Sequence, residues 1–187
     1  MTILVFGLVL FIGLHISREL GFRQIMLQRV GSESAYKGLY SVVALVGLGL
    51  IIWGKSLSPF IMLWSPRFDL RFISHFFMIP ASILVLAGNL PVSYIRYHVR
   101  NPMLAGVALW GLAHLWSNGD LASILLFGSF TAWASFKCVM LGKQPRLADA
   151  NRPYIFWDII VVVMGLILYI LISRYHGQLF GIGLGYV

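Results

Sequence analysis

The chain has 187 residues, of which 59% are hydrophobic and 11% charged. A soluble domain is about 45–50% apolar and roughly 25% charged, so a water-soluble fold of this composition would leave wide apolar patches facing solvent. The net charge of +8 falls in the gaps between apolar runs, which suits lipid headgroups and topology determinants and excludes nucleic acid as a partner.

From the N-terminus, Met1-Thr2 runs straight into Ile3-Leu4-Val5-Phe6. No basic residue precedes this run, and no small-x-small cleavage signal appears before Arg18 and Glu19. The segment therefore reads as a retained first helix and not as a cleaved signal peptide. Six apolar stretches follow in order, at residues 2–16, 38–53, 72–91, 102–116, 121–141 and 154–173. A spanning helix needs about 20 residues. Three of the six hold only about 15 or 16, so the case rests on their regular succession. The pattern predicts an all-α fold: one domain over residues 1–187, a polytopic transmembrane bundle of about six helices in a lipid bilayer.

The connections agree with that organisation. Residues 18–37 form a long charged loop, and 55–71 carry Pro59 and Pro66. Ser117-Asn118-Gly119-Asp120 is a tight polar turn that makes the fourth and fifth helices an antiparallel hairpin, with Asp120 placed to cap the fifth. Residues 143–153 are basic and polar. Trp53, Trp64, Trp116, Trp157, Tyr40 and Tyr154 stand near span ends, where amphipathic rings favour the headgroup zone. Pro80 falls inside the third span, where neighbouring helices can satisfy the carbonyl it frees. Loops one, three and five, with Lys137 counted beside the last, hold ten of the 14 Lys and Arg. The positive-inside rule places those loops in the cytoplasm and both termini outside.

Polar residues are scarce within the spans, and an ionisable group in hydrocarbon marks a functional hypothesis by default. The candidates are His15, His75, His114 and Asp158, whereas His98 falls in the third loop and His176 in the tail. Gly106, Trp110, His114 and Asn118 recur at i, i+4 on one stripe of the fourth helix. A small residue, a flat ring and an imidazole lone pair in line suit a planar cofactor; they also suit an interhelical hydrogen bond beside a packed aromatic. Gly7, Phe11 and His15 repeat the arrangement on the first helix, one turn before Arg18. Two imidazoles on facing helices can hold a haem iron from both sides. By helical rise, His15 and His114 differ in depth by about 8 Å, and His75 matches His114 about equally well. Asp158 sits at the start of the sixth helix, where a carboxylate complements the helix N-terminus. Cys138 is the single cysteine, so no intramolecular disulfide or thiolate cluster can form. There is no Ser-His-Asp order, no Gly-rich phosphate loop and no HExxH. Gly128, Ala132, Thr131 and Ser135 give small-xxx-small spacing, a packing feature.

At these residues the chain resembles the NnrU family of bacterial membrane proteins, which also includes the zeta-carotene isomerases of plants and phototrophs. The resemblance is carried by Gly13-Leu14-His15-Ile16-Ser17-Arg18, by Tyr36-Lys37-Gly38-Leu39-Tyr40-Ser41, and by the run from Pro102-Met103-Leu104 through Trp110-Gly111-Leu112-Ala113-His114-Leu115. That run continues into Asn118-Gly119-Asp120-Leu121-Ala122-Ser123 and Leu125-Leu126-Phe127-Gly128. What the resemblance implies is a multi-helix protein of the bacterial inner membrane, tied to denitrification and nitric oxide metabolism. It further implies haem b, with His15 and His114 as iron ligands; on that reading Arg18, at the interface, would lie near a propionate and Trp110 against the ring. The related isomerases act on a hydrophobic polyene, which makes isomerisation of such a small molecule the alternative activity; a non-catalytic membrane scaffold is the third reading. One position departs from the family: Asn101-Pro102 stands where His-Pro is usual, and Asn is a poor iron ligand.

Overall fold

The computed structural model describes residues 1–17, 20–142, 152–181 and 184. Among these, the chain forms α1 (Thr2–Ile16), α2 (Phe22–Val30), α3 (Glu33–Ser56), α4 (Phe72–Asn89), α5 (Tyr94–Val99), α6 (Pro102–Ser117), α7 (Leu121–Gly142) and α8 (Ile155–Phe180), with a 3₁₀ turn at Phe68–Leu70 and no strand. Four of them, α3, α4, α7 and α8, are long and apolar enough to cross a membrane. With 15 and 16 residues, α1 and α6 rise about 23–24 Å, short of a hydrocarbon core near 30 Å. Four of the six expected spans thus meet the length a bilayer requires.

The outer surface of these helices fits lipid. Val9, Leu45, Ile52, Phe76, Val139 and Ile170 are each more than half exposed. Leaving such a side chain in water forgoes about 1.5–3 kcal/mol relative to burying it, and hydrocarbon removes that cost. At most 17% of each apolar window is buried inside the protein.

The chain divides into two compact units. The first comprises Met1–Ser65 and Asn118–Ser129. In it α1 packs antiparallel on α3: the contacts advance along α1 from Leu4 to Gly7 to Phe11 as they retreat along α3 from Gly54 to Ile51 to Gly47. Gly54 lies on the backbone of Leu4, Gly7 against Leu50 and Ile51, and Gly47 against Phe11. A Cβ at Gly7 would come 2.8 Å from the Ile51 nitrogen, so glycine is what lets the backbones approach. Ser32 starts α3 by accepting the Ala35 N–H at 3.1 Å. The expected first loop contains a helix of its own, α2, bounded by Gly21 and Gly31 at φ 78° and 79°.

The same unit holds a polar clasp. The segment after α3 pairs with the start of α7: Leu63 N–H donates to the Gly119 carbonyl at 2.8 Å, and Leu121 N–H to the Ile61 carbonyl at 2.8 Å. Any side chain at Gly119 would overlap the Trp64 carbonyl. Asp120 caps α7 as expected, accepting the Ser123 N–H at 3.0 Å. Its carboxylate also receives Lys55 Nζ at 2.9 Å, and that ammonium reaches Ser123 Oγ at 2.8 Å. Burial pushes the Asp120 carboxyl up, but hydrogen bonds from Ser123 and Lys55 outweigh it and hold the group below its ordinary range.

The second unit comprises Pro66–Ser117 and Phe130–Val187. Here α4 and α6 run antiparallel, with Gly88 on Met103 and Gly106 on Ala81 and Val85. Ser74 Oγ donates to the Ala113 carbonyl at 2.9 Å. Pro80 lies within an unbroken α4. α8 packs on α4 through Gly165, where a Cβ would approach Ile83 to 2.6 Å. Asp158 accepts the backbone N–H groups of Tyr94 and Ile95, both at 2.9 Å. It therefore caps α5, a short helix in what the sequence predicts as a plain third loop. α8 itself continues past residue 173 to end at Gly181, φ 74°. His176, expected in a solvated tail, is helical.

Candidate functional site

His15 and His114, the two imidazoles singled out by sequence, belong to different units, and each has its own setting. At the end of α1, His15 Nδ1 lies 2.7 Å from the Phe11 carbonyl. Its ring stacks on Phe11 at 4.2 Å and meets Tyr40 of α3 edge-on at 5.5 Å. The stripe of Gly7, Phe11 and His15 faces α3, so its glycine and phenylalanine serve helix packing. Arg18 lies outside the described residues.

On α6, His114 Nδ1 lies 2.8 Å from the Trp110 carbonyl, and the two rings are 5.1 Å apart. Trp110 also meets Phe130 of α7 edge to face at 5.8 Å. The room that Gly106 seemed to leave for a planar group is taken by α4: a Cβ there would stand 2.7 Å from the Ala81 carbonyl oxygen.

The two histidines share one chemical feature. A carbonyl oxygen only accepts, so the nitrogen facing it donates and Nδ1 carries the proton. In the neutral ring the lone pair then resides on Nε2. A metal-ligating histidine commonly donates its other N–H to a backbone carbonyl, which sets tautomer and ring orientation. Both donor sets are therefore compatible with axial ligation of iron.

Two further imidazoles, His75 and His176, belong to the second unit with His114. His75 Nδ1 on α4 lies 2.8 Å from Tyr169 Oη on α8. The His176 ring stands 6.4 Å from that of His114, with planes inclined by 25°, and packs on Phe180 at 4.9 Å. Gly165, Tyr169, Ile172 and His176 recur at helical spacing, a stripe readable only once α8 is carried past Ser173. His98 is exposed on α5, and the Asn101 carbonyl accepts the Ala105 N–H at the start of α6. Among the described residues, no group of three or more His, Cys, Asp or Glu side chains is arranged to hold a bare metal ion.

Set beside known proteins, the chain matches the family described as NnrU protein over residues 3–184. No curated protein and no solved structure gives a match.

Proposed function

The chain belongs to the NnrU family, and from that premise we propose that it is a haem-binding membrane protein linked to nitric oxide and denitrification metabolism. The observation that carries the reading is the state of His114. Its Nδ1–H is committed to the Trp110 carbonyl at 2.8 Å, which leaves the lone pair of the neutral ring on Nε2, the nitrogen iron would take. Trp110 offers its indole beside that imidazole. His15 carries the same tautomer in the other unit, and Arg18, three positions further along the sequence, would supply a cation for a propionate. Bound haem b would supply an iron centre for one-electron chemistry or for coordinating a diatomic such as nitric oxide.

The distribution of basic residues supports a place in the bacterial inner membrane with both termini outside. The test is an absorption spectrum of the detergent-purified protein from haem-replete cells, before and after nitric oxide is added to the reduced form. A Soret band that shifts with nitric oxide and disappears in His114→Ala is the expected result. A haem band unmoved by nitric oxide, together with turnover of an added polyene, would transfer the assignment to an isomerase. A colourless protein would leave only the scaffold role.

A further inference from the structure

We propose that α2 is an interfacial anchor: Phe22, Ile25 and Met26 enter the acyl boundary of the bilayer that the chain spans, and Arg29 on the same face binds the phosphate of an anionic phospholipid. The inference rests on the bilayer reading of the fold and is independent of haem.

The faces of the helix carry the first part of the argument. Phe22, Ile25, Met26 and Arg29 recur at i, i+3, i+4 and i+7, so they share one face. Phe22 and Ile25 are each 50% exposed and Met26 41%, and Arg29 is exposed beside them. The less exposed positions, Arg23, Leu27 and Val30, form a different face at the same kind of spacing. That face is held on α3, where Arg23 donates to Glu33 at 2.7 Å and lies over the Tyr36 ring at 5.9 Å. Gln24 and Gln28 make a third, exposed and polar face, turned away from the stripe that ends at Arg29. α3, hydrocarbon and water thus each have a side of α2 suited to them.

Placement carries the second part. α1 and α3 run antiparallel, and α2 joins the end of one to the start of the other, so it lies at one end of the pair. Only Gly31 and Ser32 separate α2 from α3, which keeps Val30 within about 11 Å of the first residue of that span. The apolar stripe of α2 therefore stands at the rim of a surface already fitted to lipid, formed by Val5, Phe6 and Val9 of α1 and Val42, Leu45 and Val46 of α3. An interfacial helix sinks its apolar face about 5–10 Å into the headgroup boundary and adds attraction between basic residues and anionic lipid. Arg29 supplies that charge: its stem can lie along the apolar face while the guanidinium reaches phosphate. Among the described residues no carboxylate forms an ion pair with it.

The experiment uses the full chain with Cys138→Ser and one of Phe22→Cys, Ile25→Cys, Met26→Cys, Gln24→Cys or Gln28→Cys. Each variant is spin-labelled and reconstituted in vesicles of phosphatidylcholine, with or without phosphatidylglycerol. Power saturation compares collision with oxygen, which concentrates in acyl chains, and with a water-soluble nickel chelate. Labels replacing Phe22, Ile25 and Met26 should give oxygen-to-nickel ratios several-fold above those replacing Gln24 and Gln28. Phosphatidylglycerol should raise the ratio of the Ile25→Cys label further, and Arg29→Gln should remove that rise. Equal ratios at all five positions would overturn the interfacial placement. So would labels at Phe22, Ile25 and Met26 closed to both reagents, the signature of coverage by protein; dipolar broadening would then identify a second copy as the occupant. A phosphatidylglycerol effect that is absent, or that survives Arg29→Gln, would overturn the role of Arg29.

Discussion

Replacing Asp120 by Ala should destabilise the first unit by about 2 kcal/mol, a sum that follows from two separable contacts. The carboxylate caps α7 through the Ser123 N–H at 3.0 Å, and loss of such a cap costs about 1 kcal/mol. It also pairs with Lys55 Nζ at 2.9 Å, where the side chains are 9% and 30% exposed. Removing one partner of a fully buried pair costs about 3–5 kcal/mol, and of a surface pair about 0–1. Lys55 retains both solvent contact and the Ser123 hydroxyl, so the lower end applies, about 1 kcal/mol. Asp120→Asn keeps an oxygen for the cap and should cost only about 1 kcal/mol. Thermal unfolding in detergent, with Lys55→Met and the double variant completing a cycle, reads the coupling directly. Coupling near zero, or an Asp120→Ala variant as stable as the wild type, would refute the clasp.

The same carboxylate predicts a pH dependence. Its pKa is depressed in the folded protein, so its stabilising effect is complete above the unfolded value near 3.9 and is lost as pH falls through the folded one. An acid unfolding profile of Asp120→Ala should lack that segment of the wild-type decline. Gly106→Ala should cost about 1–3 kcal/mol, because the new methyl meets the Ala81 carbonyl at 2.7 Å; melting temperature reads the loss. Asp158→Ala leaves the Tyr94 and Ile95 N–H groups without their carboxylate, and faster hydrogen exchange at those two amides than elsewhere in α4 or α6 is the expected signature. Single cysteines introduced into a Cys138→Ser background should be labelled from the cytoplasmic side in loop three and from the outside at the N-terminus; the reverse pattern would overturn the orientation.

Much of this arrangement is legible in the sequence, and the parts that are not share physical causes. The apolar stretches are visible because hydrocarbon demands long runs without charge. Asp120 is visible as a cap because it stands immediately before such a run. Helix ends are harder to read. Hydropathy reports where lipid contact stops, whereas a helix continues as long as its backbone bonds close, so α8 passes through Ser173 and Arg174 to Gly181. That extension moves His176 from tail to helix and creates its approach to His114. The short helices α2 and α5 are amphipathic or polar pieces inside charged loops, marked only by Gly21, Gly31 and Ser93. Asp158 reads as a residue at its own helix start, yet its carboxylate serves α5, more than sixty positions away. A tertiary partner of that kind leaves no local pattern. Gly106 shows the opposite hazard: its spacing with Trp110 and His114 is real, but its open space is filled by α4.

The most direct test of the central proposal is the haem content of the purified protein. Acid-acetone extraction, followed by a pyridine haemochrome assay and protein quantification, should return haem b in a fixed proportion to wild-type chain and none from His114→Ala of equal helicity. Wild-type protein that is helical, monodisperse and devoid of haem after growth with haem in excess would contradict it.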